Sequence, residues 1–392
     1  MPTDRSAPLS GITVIDLGRV LAAPFATSVL ASLGARVIKV ERPSVGDDAR
    51  QFGPFQGKTS LYFASVNCDK ESIALDLTAP ADRATFEGLL DIADVVVENY
   101  TPGVMDRLGY GWESVQQRWP RLVYAAVSGF GQTGPLSSKP SYDIIAQALS
   151  GMMSLTGHPG QPPVRVGASI GDLVAGLYLA LGVVSALHKR GRTGRGDYVD
   201  VAMLDSQVAF LEVAVTKFTA TGIDPAPQGT RHPSIAPFQA FHCGDRWMVI
   251  AAGNDDIFRR LSEAIALPQL ALDPRFHDNA SRHTHLDALE AQITAALAPH
   301  DVGYWVTRLG EAGVPCAPIQ TVGEMTRMDQ IAARAMVVPI DDPSLAGAKV
   351  PGNPIKMASV DARTTRSAPP RLDEHRARLL AELAARVTAA QY

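Results

Sequence analysis

Hydrophobic and polar positions in the first 130 residues follow a repeating rhythm. A short apolar run at 12–17 (ITVIDL) precedes a helical pattern over about 23–33, and Gly34 closes it. A second apolar run at 35–40 (ARVIKV) is stopped by Glu41-Arg42-Pro43. The same alternation returns with a run at 72–75, a helix near 79–93, a run at 95–98 (VVVE) and another at 122–127. Short apolar runs separated by amphipathic helices predict a parallel sheet with helices on its faces, a doubly wound α/β unit. Beyond Asp205 the texture changes. A helical stretch to about Ala220 leads into a loop with Gly222, Pro225, Pro227 and Gly229, which reads as a linker. A smaller unit follows, with strands near 239–241 and 247–251 and helices from about 257, 286 and 302, ending near Gly313-Val314-Pro315. A last segment with a helix over about 374–389 is placed to return to the first unit.

The longest nearly apolar stretch, residues 173–187, is short for a membrane span and runs into His188-Lys189-Arg190, so it predicts a buried helix. The opening residues, 1–10, lack the apolar core of a signal peptide. With 46% hydrophobic residues and a formal net charge of -4, nothing marks the chain for nucleic acid or an anionic membrane. Cys68, Cys243 and Cys316 lie far apart without CxxC spacing, which argues against a disulfide framework or a zinc site. The chain reads as a soluble cytoplasmic protein.

Gly129-Phe130-Gly131-Gln132-Thr133-Gly134 matches GxGxxG after a predicted strand, but Pro135 and Pro140 prevent a crossover helix from starting there. A glycine-rich loop is the better account. The run 189–196 lacks the GK[ST] ending of a phosphate-binding loop. Asp172 stands just before the long apolar helix, where an N-cap explains it, as a cap also explains Asp143. The alternative for Asp172 is a nucleophile, held ionised by the helix dipole, with Gly171 and Gly176 letting a ligand approach the backbone.

Several segments together carry a resemblance: 9–17 (LSGITVIDL), 37–43 (VIKVERP), Glu98-Asn99-Tyr100, 127–135 (VSGFGQTGP), Gly171-Asp172, Gly194-Arg195-Gly196, 313–318 (GVPCAP) and 354–357 (PIKM). In this order the chain resembles the family III CoA-transferases, which include formyl-CoA transferase, carnitine CoA-transferase and α-methylacyl-CoA racemase. The resemblance implies a Rossmann-like large domain over 1–222, an inserted smaller α+β domain over 223–325, and a segment over 326–392 that completes the large domain. It also implies an interlaced homodimer. In this reading Asp172 attacks an acyl-CoA thioester, and an aspartyl-CoA thioester then passes CoA to an acceptor acid. CoA enters as a thioester substrate, with no permanently bound cofactor, metal or ATP. The implied CoA site comprises Val20, Leu21, Arg42, Leu75, Asn99, Tyr100, Arg107, Leu108 and Lys139. Arginine and lysine there supply the charge-assisted bonds that CoA phosphates require.

Two departures narrow the expectation. The racemases of the family have a catalytic histidine where this chain has Tyr142, thirty residues before Asp172, and a neutral phenol is a poor base near pH 7. Residues 250–255 (IAAGND) do not reproduce the glycine run of formyl-CoA transferase. The stretch 229–237 (GTRHPSIAP) is more similar to enzymes pairing succinyl-CoA with glutarate, itaconate or related diacids, which makes Arg231 and His232 candidates to hold a second carboxylate. A positively charged linker explains the same residues. The expectation is therefore an acyl-CoA:carboxylate CoA-transferase with a dicarboxylic acceptor. The alternatives are an α-methylacyl-CoA racemase and a catalytically silent CoA-binding protein, which would have no need of a carboxylate at 172.

Overall fold

The computed structural model describes residues 7–360 and 362–389. The polar start read at 1–10 therefore lies partly outside the described residues. Two units emerge. The first comprises the chain up to Met152, Arg165–Thr216 and the chain from Asp329; the second comprises Met153–Val164 and Lys217–Met328.

The first unit is built on a six-stranded sheet. In chain order its elements are β1 (Thr13–Asp16), α1 (Ala22–Ser32), β2 (Arg36–Glu41), β3 (Lys70–Ala74), α2 (Pro80–Ile92), β4 (Val95–Glu98), β5 (Val123–Ser128), α3 (Asp143–Leu149), α4 (Ile170–Thr193), β6 (Tyr198–Ala202), α5 (Met203–Ala209) and the start of α6 (Val213–Thr221), whose residues from Lys217 belong to the second unit. The strand order is β3-β2-β1-β4-β5-β6, and every pairing is parallel. The central strands are mostly apolar because both of their faces are buried. Val14, Val37, Val95 and Val97 face one core with Ala26, Leu30, Leu179 and Val183 of α1 and α4. Ile15, Ile38 and Val96, one residue out of step, face the other core with Phe86 and Leu89 of α2 and Leu379 from the C-terminal helix. This is the mixed α/β architecture with a parallel sheet that the periodicity predicts.

The long helix α4 is long and apolar enough, by length and composition alone, to cross a membrane. One stripe of it, Val174, Ala175, Leu179, Ala180 and Val183, is core. The other stripe is exposed, with Leu177 at 50% and Leu181 at 60%. The helical stretch expected up to Ala220 is two helices, α5 and α6, broken where Glu212 adopts a left-handed φ of 56°. Strand β6 carries no strong apolar run, which is why it escapes the sequence pattern.

In the second unit β7 (Phe238–His242) and β8 (Trp247–Ala251) pair antiparallel, and β9 (Cys316–Pro318) adds to β8. Helices α7 (Asp255–Ala264), α8 (Leu286–Leu297) and α9 (Val302–Glu311) contribute Phe258, Leu261, Leu289, Ile293, Trp305 and Leu309 to its core. The last segment supplies β10 (Val337–Asp341), β11 (Lys349–Pro351), β12 (Arg366–Ser367) and α10 (Arg376–Ala389). Helix α10 docks on the first unit: the His375 amide donates to the Ser72 carbonyl at 3.0 Å, and Arg36 is held by Glu382 at 2.7 Å.

Candidate active site

Strand order reverses direction between β1 and β4, and in open α/β sheets ligands settle outside the carboxyl ends of the strands at such a switch point. A cavity of about 500 Å³ opens there. Its walls are the loop after β1 (Arg19, Val20, Leu21, Ala22), the loop after β4 (Asn99, Tyr100, Thr101, Pro102), the end of β5 with Ser128 and Gly129, and Lys139 to Tyr142. Asp48, Met203 and Asp172 complete it.

The two strand-end loops are stitched together by one side chain. Asn99 Oδ1 accepts from the Arg19 amide at 2.8 Å, and Asn99 Nδ2 donates to the Arg19 carbonyl at 2.9 Å. Val20 is held in the left-handed region at φ 65°, rare for a β-branched residue, by Asp47 Oδ1, which accepts its amide at 2.9 Å. Below this turn sits a buried charge network. Lys39 Nζ lies 2.9 Å from Asp47 and donates to the Gly18 carbonyl at 2.6 Å, while Lys70 Nζ contacts Asp16 at 2.9 Å. Burial alone would raise the Asp16 carboxyl, yet Lys70 and Lys39 hold it below the ordinary carboxylate value. Burial pushes the Lys70 ammonium down to about 8.

Asp172 is not a helix cap. Ser169 occupies the cap position of α4 without a side-chain bond, and Asp172 is the third helical residue. The cap comes from another helix: Asp143 Oδ1 accepts the Gly171 amide at 2.7 Å. Asp143 is not a cap of its own helix either, since Tyr142 holds that position. It is 7% exposed, and its second oxygen accepts from Gln147 Nε2 at 2.7 Å. With that duty transferred, the Asp172 carboxylate makes no hydrogen bond among the described residues and faces the cavity. Burial pushes its pKa up to about 7, and the Asp143 charge adds to the shift. The expectation that the helix terminus holds it fully ionised therefore gives way to a carboxyl poised near neutrality. The two glycines also have a different cause from ligand access. A Cβ on Gly171 would meet Gln207 Nε2 at 2.5 Å, and one on Gly176 would meet the Ala22 carbonyl at 2.6 Å. Both permit close packing between protein segments.

Of the sequence-derived residues, Val20, Leu21, Asn99, Tyr100, Lys139 and Tyr142 line the cavity with Asp172. Tyr142 stands on the rim, 76% exposed. Arg42 joins through Asp48, whose Oδ1 accepts from its Nη2 at 2.6 Å. Arg107 is exposed on the short helix Val104–Leu108, whose first residue lines the cavity. Leu75 and Leu108 do not line it; Leu75 is 3% exposed in the core, and Leu108 packs against the same cluster. Arg231 and His232 belong to the second unit. Arg231 is paired with Asp287 at 2.6 Å and with Glu290, and it lines a separate cleft of about 720 Å³ with Trp247 and His158. The His232 ring packs on Phe238, with centroids 5.3 Å apart. No local pattern singles out Arg19, Asp48 or Met203, which also line the cavity, or the nearby Tyr62. Burial raises the Tyr62 phenol, and the charges of Asp172, Asp47 and Asp143 reinforce the shift.

A parallel sheet with a cleft at its switch point, and an isolated carboxyl at a helix terminus facing it, defines a site for covalent chemistry on a sizeable substrate. The chain belongs to CoA-transferase family III, whose family model matches residues 9–376. It is 46% identical to the acetyl-CoA:oxalate CoA-transferase of Acetobacter aceti, over 98% of each chain. It is 36% identical to the succinyl-CoA:glutarate CoA-transferase of Mus musculus, over 97% of this chain and 87% of the relative. The crystal structure of a CAIB/BAIF family protein from Brucella suis superposes with a TM-score of 0.86 at 36% identity, covering 96% of this chain and 99% of that one. The chain is thus a CoA-transferase by family.

Proposed function

We propose that the enzyme transfers CoA from an acyl-CoA to a dicarboxylic acid through a covalent intermediate on Asp172. The observation that carries the proposal is the Asp172 carboxylate itself, turned to the cavity with no hydrogen bond among the described residues while Asp143 caps its helix. An oxygen of the ionised carboxylate adds to the thioester carbonyl, the C–S bond breaks, and CoA leaves as a thiolate from a mixed anhydride. The thiolate then attacks the aspartyl carbonyl, releasing the donor acid and leaving CoA as a thioester on Asp172. The acceptor carboxylate repeats the two steps in reverse and regenerates the free aspartate. One thioester replaces another, so no external energy source is consumed. CoA enters and leaves as substrate rather than as a resident cofactor.

Val20, Leu21, Asn99, Tyr100 and Lys139 line the cavity and would contact CoA; Arg42 is bonded to the lining residue Asp48, and Arg107 lies on the helix whose first residue, Val104, lines the cavity. The relatives' names join acetyl-CoA with oxalate and succinyl-CoA with glutarate, which supports a dicarboxylate as one partner. A racemase would need a base opposite a carbon acid, and no histidine stands among the described residues lining the cavity. We further propose a homodimer. Leu177 and Leu181 on α4, Phe210 just after α5 and Val213 at the start of α6 are each 47–60% exposed, an apolar surface of the kind that a second copy covers. Three free thiols fit the cytoplasm. The test is a panel assay: succinyl-CoA and acetyl-CoA are each incubated with mono- and dicarboxylates, and the new thioesters are read by mass spectrometry. Formation of a dicarboxylyl-CoA is expected. Conversion confined to exchange of an α-proton, without a new thioester, would overturn the reading.

A further inference from the structure

Asp48 sits at the rim of the cavity between two arginines that come from different strands. Arg42 follows β2 and donates from Nη2 to Asp48 Oδ1 at 2.6 Å; Arg19 follows β1 and donates from its Nη2 to Asp48 Oδ2. We infer that Arg19 is a second phosphate ligand for CoA and that Asp48 is a positioning residue, holding Arg19 and Arg42 side by side as a clamp. This rests on reading the cavity as the CoA site.

The geometry leaves the clamp open. Each arginine gives one terminal nitrogen to Asp48, and Arg19 Nε is buried without a partner. Arg42 Nη2 also donates to the Gly46 carbonyl at 3.5 Å, while Nε and Nη1 of Arg42 make no hydrogen bond among the described residues. The neighbouring carboxylate cannot neutralise the pair, because Asp47 is engaged by Lys39 and by the amides of Val20 and Ala49. Two guanidinium groups therefore share a single negative charge, and Lys139 adds a further cation on the same cavity. An unbalanced pair of planar forks suits a phosphate, which accepts several charge-assisted bonds at once. Asp48 holds long side chains that would otherwise be free in solution; those of Arg19, Arg42 and Asp48 are 33%, 50% and 37% exposed. The Arg19 backbone is fixed separately by Asn99, so its side chain can be exchanged without disturbing the turn.

The test is a double-mutant cycle read as affinity for CoA, measured by calorimetry, with pantetheine, which lacks the phosphates, followed by saturation-transfer NMR. Arg19→Gln is expected to weaken CoA binding about tenfold and leave pantetheine binding unchanged. In an Asp48→Asn background, where the clamp is already loose, the same exchange should cost about twofold. Should Arg19→Gln not fold, Arg19→Leu replaces it in the cycle with the same expectations. The inference is overturned if CoA affinity is unaffected, as it would be were the pair to serve the acceptor acid. It is equally overturned if pantetheine is weakened in parallel, or if the two substitutions act independently. Wild-type protein binding CoA no more tightly than pantetheine would instead remove the reading of the cavity as a CoA site, and the clamp with it.

Discussion

Asp172→Asn should make the protein more stable, and increasingly so as pH rises from about 5 to 8. The folded-state pKa of Asp172 is about 7, against 3.8 for the ordinary value. A group whose folded pKa lies above its unfolded one stabilises the fold when protonated, and that contribution fades as pH rises from about 4 through 7. The difference is about 3 units, and at 1.36 kcal/mol per unit the ionised carboxylate costs the folded state at most about 4 kcal/mol above pH 7. An asparagine avoids this cost but gives up the favourable dipole interaction, worth about 0.3–1 kcal/mol. The expected net gain is therefore about 3–4 kcal/mol at pH 8, falling to about 1–2 kcal/mol at pH 5. Equilibrium urea unfolding of both proteins at pH 5, 6.5 and 8, compared at equal slope, measures it. A variant less stable at pH 8, or a difference independent of pH, would show that Asp172 is a satisfied structural carboxylate.

Three further outcomes follow from the same geometry. Asp143→Asn removes the like charge beside Asp172, so the acidic limb of the kcat/KM profile should move to lower pH by up to about one unit, while an upward move would refute the coupling. A dicarboxylate acceptor should outcompete acetate by about tenfold in kcat/KM, about 1.4 kcal/mol; equal use of monoacids would remove the diacid reading but not the transferase. Leu181→Glu places a charge on the exposed stripe of α4, so sedimentation should show dimer for the wild type and monomer for the variant. A wild type that is monomeric at assay concentrations would contradict the proposed homodimer.

Much of the first unit was legible because its central strands are buried on both faces and read as short, mostly apolar runs. Strand β6, with Asp200 at its centre and only partial burial, carried no such signal. Asp172 and Asp143 were both visible as acidic residues ahead of helices, and local chemistry could assign each only to its own helix. Their actual relation, one capping the helix that carries the other, joins residues 28 apart through a fold the local pattern does not contain. Gly176 looked like ligand access for the same reason: its neighbour, the Ala22 carbonyl, is distant in sequence. Arg231 was legible as a cation but not its partners, Asp287 and Glu290, which lie over 50 residues further on.

A covalent bond to Asp172 is the centre of the proposed mechanism, and trapping tests it directly. Enzyme is mixed with acyl-CoA in the absence of acceptor, treated with hydroxylamine, digested, and the peptide containing Asp172 is read by mass spectrometry. An aspartyl anhydride or thioester is converted to the hydroxamate, so that peptide should gain the hydroxamate mass shift in the wild type. The shift should be absent in Asp172→Asn, which should also have lost CoA transfer. An unmodified Asp172 peptide together with an Asp172→Asn variant that still transfers CoA would contradict the account.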